Sequence, residues 1–447
     1  MAEKENKMGV MPVGKLLVSM SLPAMASMLI LAFYNIVDSI FVARSSEKAL
    51  TAVSLAFPLQ SLIFSFAVGL SVGACSAISR RLGQKREKDA LTATETGYAI
   101  ILVHIAVFVL IGLFLSGPFI GLYTKDPELH AMGTTYLRIC MGLSFAIFIL
   151  TYCEKILQGT GDTIRPMIIQ ASGAIFNIIL DPIFIFGYLG LPAMGITGAA
   201  VATVLAQFLA MIMGIVCVKR NRYIAIRFTR LRFDRESAKD IMTVGVPAVI
   251  MQGIGTVMTS LLNAILIAYD VLATTVYAVC FKLQSFVFMP VFGINQGLLP
   301  ILGYNYGARN RTRMVKALKT AVIMALFIMV TGTVLIQIIP DKLFSLFNAS
   351  DRMLEIGCVA FRIISLSYPL AAVSIIFSAL FQALGDGVVS MFVSIVRQIV
   401  FLIPAAWLLG KAGGLNTIWF SFLIAEVAGV LITIYFFSKE NKKFTFK

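Results

Sequence analysis

Leu59-Gln60-Ser61-Leu62-Ile63-Phe64-Ser65-Phe66-Ala67-Val68-Gly69-Leu70-Ser71-Val72-Gly73 is echoed 224 positions later by Leu283-Gln284-Ser285-Phe286-Val287-Phe288-Met289-Pro290-Val291-Phe292-Gly293-Ile294-Asn295-Gln296-Gly297. Both stretches open on Leu-Gln-Ser, run through an apolar middle and close on two glycines four residues apart. The same offset pairs Pro23 with Pro247, Gly83 with Gly307, Gly133 with Gly357, Arg138 with Arg362, Gln158 with Gln382 and Gly161-Asp162 with Gly385-Asp386. One register kept over roughly 140 residues marks an internal duplication. Past Gly187 the offset falls to 219, where Gly195 pairs with Gly414 and Ala206-Gln207 with Ala425-Glu426, so the second copy is shorter there.

The apolar character of the echoed stretch extends along the whole chain. Of 447 residues, 59% are hydrophobic and only 13% charged, against roughly 25% charged in soluble domains. Mean hydropathy is +0.91. Apolar runs long enough to cross a hydrocarbon core of about 30 Å recur from end to end and leave no room for a separate soluble domain. We read twelve spans, at 16–42, 51–79, 94–117, 134–158, 163–187, 195–218, 240–268, 273–303, 317–339, 358–383, 388–410 and 414–437. The first, Leu16 to Val42, is too long for a cleavable leader and lacks a small-residue cleavage site. Six spans per copy, an even number, insert both copies the same way round. The expected fold is therefore an all-α polytopic membrane protein, its twelve transmembrane helices forming two six-helix bundles related by a pseudo-two-fold axis along the membrane normal. The expected lobes are 1–218 and 240–447, joined by a basic linker at 219–239.

If the spans alternate, Lys and Arg should gather on the cytoplasmic side. The N-terminus, the loops after even spans, their flanks and the C-terminus hold 27 of the 37 basic residues. Both termini are thus expected in the cytoplasm. The densest segments are Arg80-Arg81-Leu82-Gly83-Gln84-Lys85-Arg86, the linker, and Arg309-Asn310-Arg311-Thr312-Arg313. Topology and contact with anionic lipid headgroups account for the net charge of +15 without nucleic acid. A monomer is expected. The six cysteines stand singly in apolar runs, and His104 and His130 stand apart from any acidic cluster, so no metal site and no cofactor are expected.

Charges deep inside spans are few: Asp38, Asp181, Lys282, Arg397 and Glu426, with Glu154 at a span's inner end. An ionised Asp at bilayer depth costs about 2.5 to 3.5 kcal/mol on the mildest scale, so each such residue is a functional candidate. Asn177 lies one turn before Asp181 and shares its helical face, as Tyr34 does for Asp38. Pro182 removes a backbone donor beside the charge. Counted from the inner side, both carboxylates fall in the outer half of the N-terminal bundle. At offset 224 Asp38 corresponds to Leu262, Tyr34 to Met258, Asn177 to Phe401 and Asp181 to Ala405. The second copy keeps none of these polar groups, which argues for a role beyond packing the shared fold. Two carboxylates in a partly desolvated pocket cannot both stay ionised cheaply, so such a pair can exchange a proton or Na+ for a cationic ligand. Tyr34, Asn177 and Thr203 offer neutral oxygens of the kind hard cations accept. A Na+ site would use Asp38, Asn177 and Asp181. The second bundle offers a looser polar cluster of Arg397, Gln398, Glu426 and Lys282, in which Arg397 and Glu426 could pair. The Glu154-Lys155 pair is read as solvated.

The glycine turn Gln158-Gly159-Thr160-Gly161-Asp162-Thr163 lacks the Lys of a phosphate-binding loop, and no Ser-His-Asp set or Gly-x-Ser-x-Gly is present, so neither ATP coupling nor an enzyme is expected. Gly293-Ile294-Asn295-Gln296-Gly297-Leu298-Leu299-Pro300, with Gly303-Tyr304-Asn305-Tyr306-Gly307-Ala308, resembles the eighth-helix signature of multidrug and toxic compound extrusion (MATE) transporters. Gly69-Leu70-Ser71-Val72-Gly73, Ser79-Arg80-Arg81-Leu82-Gly83, the 158–163 turn and Asp181-Pro182 are similar to that family too, and the resemblance covers essentially the whole chain. Lys282, Arg397-Gln398 and Pro404 are similar to its MepA-like bacterial branch. The resemblance implies two lobes, alternating access, and export of cationic amphiphiles driven by inward H+ or Na+ from the bacterial cytoplasmic membrane. The family's N-lobe ion site carries over onto Asp38, Asn177 and Asp181, with Tyr34 nearby and Thr203 as a further match. One departure is the lack of an acidic residue well inside the seventh or eighth span, which shifts the expected ion site to the N lobe. The rival readings are a flippase for lipid-linked saccharides, which should line its cavity with several Arg or Lys, and a non-transporting membrane receptor or scaffold.

Overall fold

The computed structural model describes residues 6–224, 226, 232–347 and 350–440. Parts of the expected linker (225 and 227–231) and the ends of the chain (1–5 and 441–447) lie outside the described residues. Every regular element among the described residues is a helix. Ten helices are long and apolar enough to cross a membrane, and two bent pairs bring the number to as many as twelve. The bent pairs are Pro127–Gly142 with Phe145–Gly159, at 44°, and Asp351–Ser365 with Tyr368–Leu384, at 48°. They begin 224 residues apart, so the duplication extends to the breaks. Pro369, which has no N–H to donate into the preceding turn, accounts for the second break. Leu143 makes the first without a proline, leaving helical dihedrals at φ −109°, ψ 22°. Large apolar side chains such as Phe114, Phe327 and Leu431 are exposed on the helices, as expected where lipid is the solvent.

The helices match in pairs. Glu47–Gly83 recurs as Val271–Gly307, and Glu87–Gly121 begins 224 residues before Arg311–Ile338. The tight turns after Gln158 and Gln382 each use a glycine in the left-handed region, Gly161 at φ 94° and Gly385 at φ 91°, which a side chain there would strain. Asp162 then accepts from the backbone N–H groups of Ile164 and Arg165 and satisfies the next helix's first donors.

One pairing departs from the simple offset. Ile164–Phe186 is a continuous α-helix, whereas its counterpart is Gly387–Ile395, a π-helical turn Val396–Phe401, then Leu402–Gly413. A π turn takes up an extra residue. Before it, buried Pro166 and Ile169 match buried Ser390 and Val393 at offset 224; beyond it, buried Asn177, Asp181 and Ile185 match buried Leu402, Ala406 and Gly410 at 225. The counterparts of Asn177 and Asp181 are therefore Leu402 and Ala406, not Phe401 and Ala405. They are still apolar, so the asymmetry between the copies stands.

By contact the chain forms two units, Ala26–Val249 and Met1–Met25 with Ile250–Lys447. The division does not fall at the linker, as the expected lobes 1–218 and 240–447 had it, but inside two unbroken helices, Val13–Ser45 and Arg235–Ile267. The glycine pairs explain this. In the first unit, Gly69 and Gly73 lie bare against Val249, Ile241 and Gly245, and a Cβ at Gly73 would overlap the Ile241 carbonyl. In the second, Gly293 and Gly297 lie against Met25, Met20 and Ser21. Each small-xxx-small face therefore takes in the opening segment of the other copy's first helix, backbone against backbone. Arginines hold the N-terminal ends of these segments. Arg81 donates to Ser237 Oγ at 2.6 Å and pairs with Asp240 at 3.2 Å. Arg313 donates to the carbonyls of Met8 and Met11 at 3.1 and 2.6 Å.

Candidate functional site

Within the Ala26–Val249 unit, three helices direct polar side chains to one place. Asp181 and Asn177, one turn apart on Ile164–Phe186, are both buried, as their shared face requires. Asn177 Nδ2 donates to Asp181 Oδ1 at 3.3 Å and to Thr203 Oγ1, on Gly195–Lys219, at 3.4 Å. Thr203 also lies close to Tyr34. Asp38, one turn after Tyr34 on Val13–Ser45, brings its carboxyl group close to Asp181, near enough for the two to interact electrostatically. Two carboxyl groups this close repel one another when both are ionised. The structure thus assembles all five sequence-nominated residues of this copy.

Three acceptor atoms in the cluster, Asp38 Oδ1, Asn177 Oδ1 and Asp181 Oδ2, are buried without a hydrogen-bond partner among the described residues. Buried polar atoms are seldom left so. Oxygens of two carboxyls and an amide form a hard-donor set of the kind that takes H+ or Na+. Sequence reasoning missed the flank of the site. Tyr136, on Pro127–Gly142, is buried near Asp38, and its hydroxyl accepts from Gln60 Nε2 at 3.2 Å. The available signal was Gln60 itself, an amide well inside an apolar helix.

The other unit holds a second ionic group. Arg397, on the π turn, donates through Nη1 to both Glu426 oxygens, at 2.8 and 3.0 Å. Neither Gln398 nor Lys282 hydrogen-bonds or ion-pairs with a described residue, and Lys282 is exposed. The four nominated residues therefore reduce to one pair. At the 158–163 turn, Lys155 is not solvated as expected; it is buried and donates to Gln158 Oε1 at 2.8 Å. His104 is a packed histidine whose Nδ1 lies 2.8 Å from the Ile100 carbonyl.

A single family description, MatE, fits the chain twice, over residues 23–183 and 247–408. The chain belongs to the MatE family. The two matches start 224 residues apart and end 225 apart, in keeping with the extra residue of the π turn. Over 419 residues the chain is 26% identical to the multidrug export protein MepA of Staphylococcus aureus, covering 93% of this chain and 91% of that one. It is 25% identical over 399 residues to a probable multidrug resistance protein, NorM, of Thermotoga maritima, covering 89% and 86%. Among solved structures it is similar to a MOP superfamily transporter from Pyrococcus furiosus, with a TM-score of 0.93 and 25% identity over the whole of both chains; that protein is described as having a binding pocket of reverse polarity that suggests a different function. This MatE-family chain is a multi-pass membrane transporter. Because pocket polarity differs even between such similar folds, the charge of its own site carries the functional argument.

Proposed function

We propose that the chain is a secondary-active antiporter that exports cationic amphiphiles in exchange for inward H+ or Na+, with Asp38, Asn177 and Asp181 as the coupling site. The observation that carries this reading is the meeting of two carboxyl groups whose remaining oxygens, with that of Asn177, are buried and unpartnered. With a proton or Na+ bound, the repulsion between Asp38 and Asp181 is relieved; with the site empty, its negative charge favours a cationic drug. A cation bound from outside displaces the drug, and its release inside restores the drug site, so each occupant biases one of two packings. Tyr34, Thr203 and Asn177 orient the carboxyls, and Gln60 and Tyr136 close the flank. The names of the relatives in Staphylococcus aureus and Thermotoga maritima support drugs as the exported class.

No catalytic step is assigned. The chain is placed in the bacterial cytoplasmic membrane as a monomer, with both termini inside and the basic loops on anionic headgroups. A saccharide-lipid flippase is less well supported: of the two basic residues nominated in the second bundle, Arg397 is neutralised by Glu426, which leaves Lys282. Uptake of a lipophilic cation into inverted vesicles is expected to fall to the protein-free background in Asp38→Asn and Asp181→Asn, with thermal unfolding little changed. Undiminished uptake in both would overturn the assignment. Imposing pH and Na+ gradients separately identifies the coupling ion.

A further inference from the structure

The Arg397–Glu426 pair is not a closed ion pair. Arginine carries five N–H donors in a fixed fork, and its side-on edge, formed by Nε and Nη2, matches a carboxylate or phosphate with two parallel bonds. Both Glu426 oxygens sit on Nη1. Nε is buried without a partner among the described residues, and no described residue bonds Nη2. The best anion-binding edge of the guanidinium is thus unused by the protein. The pair also keeps access: the side chains are 16% and 15% exposed.

The surrounding residues are arranged to present this edge. Arg397 lies on the π turn Val396–Phe401, and π turns inside α-helices occur frequently at functional sites. Gly429, on the facing helix, has no Cβ; one placed there would lie 2.9 Å from Arg397 Cδ, so the glycine makes room for the arginine stem. Ser374 Oγ, buried and also unpartnered among the described residues, would lie 3.5 Å from that same Cβ. The first copy has nothing equivalent: Gly173 and Gln207 stand at the corresponding positions.

We infer that the Nε/Nη2 edge of Arg397, with Ser374 Oγ beside it, is an oxyanion subsite that recognises a carboxylate or phosphate group on a transported amphiphile. Glu426 tempers the site. It neutralises the guanidinium when no anion is present and limits how tightly an anion is held. The inference rests on the export reading for its choice of a transported ligand, but its test does not depend on coupling.

The probes are a rhodamine methyl ester, a monocation, and its free acid, the same ring system carrying a carboxylate. Equilibrium affinities for the purified chain are measured in nanodiscs without any gradient, so they report on Arg397 whether or not export is coupled through Asp38 and Asp181. Glu426→Gln is expected to raise the free-acid affinity relative to the ester by about tenfold, the effect of one strengthened charge-assisted contact. The charge-balanced Arg397→Gln/Glu426→Gln variant is expected to lower the same ratio by about tenfold. If the double variant does not fold, the Glu426→Gln ratio decides alone. An unchanged ratio in Glu426→Gln overturns the proposal. So does a ratio effect that vanishes when phosphatidylglycerol is added, since that outcome gives the edge to a lipid headgroup.

Discussion

Gly73 has no room for a side chain, because the carbonyl of Ile241 occupies the position a Cβ would take. Backbone cannot give way as a flexible side chain can, so Gly73→Val is expected to destabilise by at least the roughly 1–3 kcal/mol of an overpacked contact. Thermal unfolding in detergent measures this, and an unchanged midpoint would contradict the close approach. Individual residues were legible in the sequence to the extent that they violated their surroundings. Asp38, Asp181 and Asn177 stood out because a carboxylate or amide in a run of Ile, Leu and Phe needs a reason. Tyr136 raises no such alarm, since a tyrosine is ordinary in an apolar helix and this one gains its role from Gln60, far away in sequence. Lys155 was misjudged for a similar reason: a charge near a span's end looks solvated until Gln158, three residues on, is seen to receive it in the interior.

Helix ends carry the duplication as clearly as helix bodies do, and with exchanged chemistry. Ser46 caps Glu47–Gly83 where Asp270 caps Val271–Gly307, and Asp126 caps Pro127–Gly142 where Ser350 caps Asp351–Ser365. The backbone N–H groups of Glu128 and Leu129 hold the Asp126 carboxyl below its ordinary value of 3.8. The N–H of Leu272, with Arg352 beside it, does the same for Asp270. A depressed carboxyl pKa contributes stability that is present above the unfolded value and lost as the pH falls through the folded one. The melting temperature is therefore expected to drop as the pH is lowered below about 4, the unfolded carboxylate range. The drop should be shallower in Asp126→Asn and Asp270→Asn, and identical slopes in all three proteins would refute the caps' contribution. Span existence was readable because twenty apolar residues leave few alternatives. The π turn was not, because one extra residue in a helix changes neither composition nor length enough to notice. It shows only as a change in which residues are buried.

For the whole molecule, the repeat in sequence announced two copies but not how they trade parts. Residues 1–25 group with 250–447, and the segment before Ile250 groups with the first copy. Halves separated within the linker are therefore incomplete: one lacks the segment that covers Gly69 and Gly73, the other the segment that covers Gly293 and Gly297. Either half expressed alone is expected to be degraded or aggregated, whereas co-expression should restore a monodisperse, transport-active protein. A stable, monodisperse single half would contradict the exchange. The same exchange imposes an order on manufacture. The segment up to Met25 leaves the ribosome well before the Gly293 and Gly297 surface that receives it, which is made more than half of these 447 residues later. The helix Val13–Ser45 must therefore wait with one end unmatched until that surface arrives, so assembly of this protein completes only after the insertion machinery has handled everything between.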